Sequence, residues 1–277
     1  MQEFSGRVAV VTGGASGIGF GLATSFAAEG MKIVLGDIEV AALADAVGKL
    51  EASGAEVLGV RTDVSDGAQV QALADAAVER FGAIHIACNN AGVAAGGLSW
   101  EVPVDTWEWV FGANLWGVIH GVQSFVPTMI QRGRSGLVIN TGSKQGITTP
   151  PGDPAYNVSK AGVKTFTEAL QHELRNTQGC RINAHLLIPG FVFTELTANG
   201  RTDKPSSAWT PEQTIDFMLE RLEADDFYVL CPDNDVPRSL DERRILWAAG
   251  DLVENRPPLS RWHPDHAKAF DDFSRGR

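Results

Sequence analysis

Seven short apolar runs, at residues 8–11, 33–35, 57–60, 84–87, 137–139, 184–188 and 227–230, alternate along this chain with stretches of helical period. Several of the runs are apolar at successive positions, as strands buried on both faces require. Between Asp66 and Phe81, residues Val70, Leu73, Ala74, Ala77, Val78 and Phe81 fall three and four apart, which gathers them on one helical face. Strand, helix and strand repeated in this way require right-handed crossovers. The pattern predicts an α/β chain built on a doubly wound parallel sheet of about seven strands, with helices on both faces.

Of the 277 residues, 44% are hydrophobic, enough for one large core, and no Pro-, Ser- or Gly-rich linker or charge block divides them. A single domain is expected over 1–232, followed by an extension over 233–277. Residues 194–209 are polar and irregular and precede a Thr210-Pro211-Glu212-Gln213 helix start, so 194–210 reads as a substrate lid. The extension carries a helical pattern over 239–252, a Pro257-Pro258 turn, and Trp262, Phe270 and Phe273. Those aromatic side chains need an apolar seat, on the body of the chain or on a partner subunit.

A formal net charge of −11 repels phosphate backbones and anionic lipid, so neither nucleic acid nor a membrane surface is expected as partner. No apolar run approaches the roughly 20 residues that cross a bilayer. The opening Met-Gln-Glu-Phe-Ser-Gly-Arg lacks the basic and apolar regions of a secretory signal, which points to a cytoplasmic protein. Cys88, Cys180 and Cys231 are odd in number and far apart, and read as free thiols rather than a disulfide framework or metal knuckle. His263-Pro264-Asp265-His266 lacks a third ligand, and His172-Glu173 lacks the second histidine of a zinc protease motif, so no metal is expected. Asn157-Val158-Ser159 has the form of a glycosylation sequon, but export is not expected.

The first strand runs into Thr12-Gly13-Gly14-Ala15-Ser16-Gly17-Ile18-Gly19 and then a helical pattern. Glycines at that junction let a backbone approach a pyrophosphate and aim helix N-terminal amides at it. Asp37, at the end of the second strand, is placed either to accept hydrogen bonds from an adenosine ribose or to cap the next helix. In the first role it repels a 2′-phosphate, and Ala15, Ser16 and Ile38 offer no positive group to hold one, so NAD is favoured over NADP. Asp63 and Val64 suit the adenine edge or a helix cap equally.

Tyr156 and Lys160 stand four apart at the start of an amphipathic helix, one turn apart on the same face. A phenol is a poor base at neutral pH. A nearby ammonium stabilises its phenolate, so the pair has the makings of a general acid/base.

These features resemble the short-chain dehydrogenase/reductase family in several matches that follow the family's order. They are Thr12-Gly13-x-x-x-Gly17-x-Gly19, Asn89-Asn90-Ala91-Gly92, Asn114 in Ala113-Asn114-Leu115, Ser143 in Asn140-Thr141-Gly142-Ser143, Tyr156-x-x-x-Lys160, and Pro189-Gly190 followed by Thr194. The resemblance covers about residues 5–232 and implies a Rossmann fold that transfers hydride between NAD and an alcohol or ketone. In it, Tyr156 exchanges the substrate proton, Lys160 lowers the phenol and holds the nicotinamide ribose, Ser143 binds the reacting oxygen, and Asn114 ties a water to a proton relay. Asn90, Ala91 and Gly92 line the adenosine side, and Pro189, Gly190, Val192 and Thr194 cover the nicotinamide. The resemblance also implies a dimer or tetramer built on long helices around 105–129 and 155–177. It fails after the last strand, where Pro232-Asp233-Asn234-Asp235 replaces the family's glycine-rich ending.

The substrate is less legible. Trp100, Trp107, Trp109, Trp116 and Trp209, with Val93, Leu98, Ile147 and Phe191, are candidates for an apolar or aromatic-binding pocket, or for core and subunit contacts. Lys144, beside Ser143, is the one candidate clamp for a substrate carboxylate. A bulky hydrophobic secondary alcohol or ketone is expected. A non-redox enzyme retaining NAD and a nucleotide-sensing protein on the same fold are the alternatives.

Overall fold

The computed structural model describes residues 4–132, 135–198 and 200–276. Met1–Glu3 of the opening segment and Asn199 of the lid lie outside them. Seven parallel strands form one sheet in the order β3-β2-β1-β4-β5-β6-β7. They are β1 (Val8–Thr12), β2 (Lys32–Asp37), β3 (Val57–Arg61), β4 (Ile86–Asn89), β5 (Gly136–Thr141), β6 (Ile182–Ile188) and β7 (Tyr228–Leu230). The helices are α1 (Gly17–Ala28), α2 (Val40–Ala52), α3 (Gly67–Phe81), α4 (Val104–Phe111), α5 (Gly117–Gln131), α6 (Gln145–Thr148), α7 (Pro154–Asn176), α8 (Glu195–Ala198), α9 (Pro211–Glu223), α10 (Arg238–Val253) and α11 (Ala267–Ser274).

The strand order reverses between β1 and β4, and a crevice opens at such a switch point beyond the strands' carboxyl ends. Two apolar layers sandwich the sheet. Leu22, Phe26, Ile33, Leu35, Leu187 and Met218 belong to one, with α1, α2 and α9; Val10, Val34, Leu73, Phe125, Val138 and Leu170 belong to the other, with α3, α5 and α7.

Local chemistry sets several boundaries. Asp66 caps α3 by accepting the Ala68 N–H at 2.9 Å, and left-handed Gly82 ends that helix. Thr210 and Gln213 form the reciprocal capping box at the start of α9. The fourth strand begins two residues later than its apolar run; just before it the His85 ring accepts the Val8 N–H at 3.0 Å. The helix expected as continuous through 105–129 is interrupted by a π-helical turn, Gly112–Trp116, between α4 and α5. The wider turn points Asn114 inward, where it is 0% exposed.

Beyond β7, α10 packs against α6. Phe270 and Phe273 of the extension have their seat on this helix, whereas Trp262 is 40% exposed. Phe270 and Phe273 lie 5.4 and 5.3 Å from Trp247, centroid to centroid, and the Trp247 indole donates to Ser260 Oγ at 2.8 Å. No helix among the described residues is long and apolar enough to cross a membrane. The three cysteines are unbridged, and Cys88 and Cys231 are buried.

Candidate active site

A cavity of about 610 Å³ occupies the crevice. Gly13, Ser16, Gly17, Ile18, Asp37, Ile38, Asp63, Val64, Asn90, Ala91, Gly92, Ser143, Tyr156, Lys160, Pro189, Gly190, Val192 and Thr194, scattered over most of the chain, all line it. Of the sequence-selected residues, Gly19 and Asn114 stand behind the wall.

Gly13 and Gly17 adopt left-handed backbone, at φ 61° and 51°, which an L side chain resists. A Cβ on Gly13 would come 2.7 Å from Ala91 Cα, and one on Gly19 would sit 1.9 Å from the Gly13 carbonyl oxygen. The turn therefore packs on the β4 loop as bare backbone. Ser16 caps α1 without a side-chain hydrogen bond, and Ser16, Gly17 and Ile18 at this helix start form a cradle suited to an anion.

Asp37 Oδ2 accepts the Ala15 N–H at 2.9 Å, and Oδ1 accepts the Glu39 N–H at 3.0 Å. The carboxylate is thus aimed across the glycine turn, and each oxygen keeps acceptor capacity for a sugar hydroxyl. Asp66, not Asp63, caps α3. Asp63 Oδ1 instead accepts from Ser65 N and Oγ, at 3.0 and 2.6 Å, and the Val64 carbonyl meets His120 Nδ1 at 2.9 Å.

Asn90 stitches the strand ends together. Its backbone N–H donates to Thr12 Oγ1 at 3.0 Å, its amide to the Thr12 and Gly13 carbonyls at 3.3 Å, and its side-chain oxygen accepts from Thr141 Oγ1 at 3.2 Å. Asn114 fills both hydrogen-bonding groups of Val93, accepting its N–H at 2.7 Å and donating to its carbonyl at 2.9 Å, and also donates to Ser159 Oγ at 3.1 Å.

Helix α7 brings Tyr156 and Lys160 to the cavity. Asp153 caps it, accepting the Tyr156 N–H at 3.3 Å, and Pro154 follows with its φ preset for a first turn. Lys160 is buried, and its ammonium donates to the Thr141 carbonyl at 2.8 Å and lies 5.7 Å from the Tyr156 ring centroid. Burial pushes Lys160 down to about 8. Burial also raises the Tyr156 phenol above its ordinary value; the Ser143 hydroxyl opposes this through a hydrogen bond, and the Asp153 charge adds to it. Ser143 Oγ further accepts the Gln145 N–H at 3.2 Å. A phenol, a hydroxyl and an ammonium thus converge on one wall, a set able to pass a proton to or from an oxygen held between them.

Several sequence candidates fall elsewhere. Of the pocket candidates, Val93 and Trp109 line the cavity; Trp100, Trp107, Trp116, Trp209, Leu98, Ile147 and Phe191 do not. Trp100 is 80% exposed, Trp107 packs edge-on against Phe111, Trp116 stacks on His120, and Trp209 packs on Phe217. Helical period alone left open which neighbour each indole would meet. Lys144 is no free clamp, because its ammonium is paired with Asp233 and Asp241 at 3.2 and 2.6 Å. Sequence reasoning missed Thr141, whose contribution is a carbonyl that every residue carries, and Asp153, whose signal is an Asp-Pro pair opening a helix.

Comparison with known proteins agrees with this geometry. The short chain dehydrogenase family model matches residues 7–205. A 1-deoxy-11-beta-hydroxypentalenate dehydrogenase of Streptomyces avermitilis is 34% identical over 244 residues, 86% of this chain and 89% of that protein. A 2,5-dichloro-2,5-cyclohexadiene-1,4-diol dehydrogenase of Sphingobium indicum is 33% identical over 198 residues, 72% of this chain and 78% of that protein. The crystal structure of a short chain dehydrogenase/reductase from Burkholderia phymatum in complex with NAD superposes with a TM-score of 0.85 at 39% identity, covering 93% of this chain and 98% of that one. Sheet order, glycine turn and the Tyr156–Lys160 helix thus coincide with a family match over most of the chain, which belongs to the short-chain dehydrogenase/reductase family of oxidoreductases.

Proposed function

We propose that the chain is an NAD-dependent dehydrogenase acting on CH–OH groups, transferring hydride between NAD(H) and a neutral secondary alcohol or its ketone. The observation that carries the reading is the single cavity shared by Asp37, the glycine turn, Ser143, Tyr156 and Lys160. Gly13, Ser16, Gly17, Ile18 and Gly19 would hold the pyrophosphate, Asp37 and Ile38 the adenosine ribose, and Asp63 and Val64 the adenine edge. Asn90, Ala91, Gly92, Pro189, Gly190, Val192 and Thr194 would line the rest of the cofactor. The bare-backbone cradle and the carboxylate of Asp37 fit NAD and disfavour a 2′-phosphate. NAD, when bound, supplies the hydride acceptor. Tyr156 takes the proton from the alcohol oxygen, Ser143 donates a hydrogen bond to that oxygen as charge develops, and Lys160 stabilises the phenolate. Asn114 holds the Val93 segment beside them and is assigned the relay water.

Among the described residues lining the cavity, Lys160 is the one basic side chain, against Asp37, Glu39, Asp63, Glu108 and Glu195. That balance favours an uncharged substrate, and Val93, Trp109, Val192 and Leu196 favour a bulky hydrophobic or aromatic one. We further assign the catalytic domain to 1–232 with lid 194–210 and the extension to 233–277. A cytoplasmic location accords with the buried free thiols, and a homodimer or homotetramer with the apolar residues that α4 and the π turn expose.

A panel of secondary alcohols and ketones, followed through NADH absorbance with NAD and NADP in parallel, tests the reading. Turnover of bulky neutral alcohols with NAD is expected. An enzyme that binds NAD and turns over no member of the panel would overturn it.

A further inference from the structure

The Lys144 ammonium sits between two carboxylates of the extension, 2.6 Å from Asp241 Oδ2 and 3.2 Å from Asp233 Oδ2. The three side chains are 16%, 5% and 7% exposed, and Arg244 approaches the other Asp241 oxygen at 4.0 Å. The cluster lies directly on the loops of the site. Asp233 Oδ2 accepts the Phe191 N–H at 3.2 Å, and a Cβ on Gly190 would stand 2.7 Å from that oxygen and 2.8 Å from Lys144 Nζ. The Lys144 N–H reaches the Pro189 carbonyl at 3.4 Å. The next residue, Asn234, grips the end of the lid. Its amide donates to the Ser206 and Ala208 carbonyls at 2.6 and 3.2 Å, and its oxygen accepts the Trp209 indole N–H at 3.1 Å.

Two consecutive residues of the extension therefore hold three segments around the reaction centre: the loop of Ser143, the Pro189-Gly190 loop and the lid. A buried charge cluster tolerates little displacement, because each desolvated charge needs its partner. Catalytic geometry is as demanding, since a misplacement of about 1 Å costs on the order of 100-fold in rate.

We propose that Asp233, Asp241 and Lys144 are positioning residues of this active site. Through them the extension keeps the Ser143 loop, the Pro189-Gly190 loop and the lid in one register, and so sets turnover without touching substrate. The proposal rests on the dehydrogenase reading of the cavity.

Lys144→Met alone would strand two buried carboxylates, so the informative protein is Lys144→Met/Asp233→Asn/Asp241→Asn, which removes the charges together. Should that variant fail to fold, Asp233→Asn alone keeps the Lys144–Asp241 pair. Three measurements are compared with wild type: kcat, KM for NAD, and the rate of tryptic cleavage after Arg201 with NAD saturating. The proposal expects kcat to fall at least ten-fold with KM for NAD within three-fold, and lid cleavage to speed up at least ten-fold. Unchanged cleavage, or faster cleavage beside an unchanged kcat, overturns it in favour of a purely structural cluster. A wild type that binds NAD but oxidises no alcohol defeats the dehydrogenase reading instead. The cleavage comparison, which needs no turnover, then still decides whether the cluster holds the lid.

Discussion

The ammonium of Lys160 donates to the carbonyl oxygen of Thr141 at 2.8 Å, joining α7 to the strand that ends two residues before Ser143. Protonated, that side chain carries a positive charge in a place with almost no water, held by a neutral acceptor. No carboxylate among the described residues pairs with it, and the Tyr156 ring centroid lies 5.7 Å away.

This placement makes stability depend on pH in a definite direction. Burial lowers Lys160 from 10.5 to about 8, so between those values the unfolded chain binds a proton that the folded chain does not. Stability contributed at this position therefore rises with pH across the window. Relative to Lys160→Met, wild type should gain up to about 3 kcal/mol from the lower to the upper edge of the window. Urea denaturation of both proteins on either side of it measures the gain, and a constant difference would mean that the ammonium is solvated.

Tyr156→Phe keeps the ring against Lys160 and removes the exchangeable proton. Loss of kcat by about 10³-fold or more is expected, with NAD affinity changed by less than about three-fold. Fluorescence titration with NADH and steady-state rates separate the two quantities, and a variant retaining a tenth of wild-type turnover removes Tyr156 from the role.

Asp37→Ser with Ile38→Arg replaces a carboxylate by a hydroxyl and brings a guanidinium to the mouth of the cavity, where Ile38 is half exposed. The ratio of kcat/KM for NAD over NADP should shift by at least two orders of magnitude, about 3 kcal/mol. An unmoved ratio would assign ribose reading to another group.

Asn114→Ala leaves the Val93 N–H and carbonyl without their partner at a fully buried position. A loss of about 1–2 kcal/mol in unfolding free energy is expected, because Val93 is only half buried and its stranded groups regain part of their hydration. Denaturant titration reads it; an unchanged midpoint would show that Asn114 does not brace this segment.

Trp116 is 52% exposed, and Val104 on α4 more so. Single-chain stability gives no reason to leave these side chains in water, so a second copy should cover them. Light scattering should find a dimer or tetramer, and Trp116→Glu should shift it toward monomer; a wild-type monomer at micromolar concentration would refute the assembly.

The alternation of strand and helix, the glycine turn, the carboxylate at the second strand's end, and the four-residue step from Tyr156 to Lys160 are all legible along the chain. Each is a short-range property: side-chain direction repeats every two residues in a strand and every 3.6 in a helix, and a left-handed turn selects glycine on the spot. The rest came from packing between distant segments. The π turn that sends Asn114 inward depends on the fit of α4 and α5 to their neighbours. Lys144, which reads as a clamp beside Ser143, is neutralised by Asp233 from 89 residues away. The Thr141 carbonyl receives Lys160 only because β5 and α7 are packed together, and no residue type advertises a backbone oxygen. Which tryptophan meets the cavity was likewise settled by packing. Helical period assigns a face, and only the neighbours of that face say whether it meets core, cavity or water.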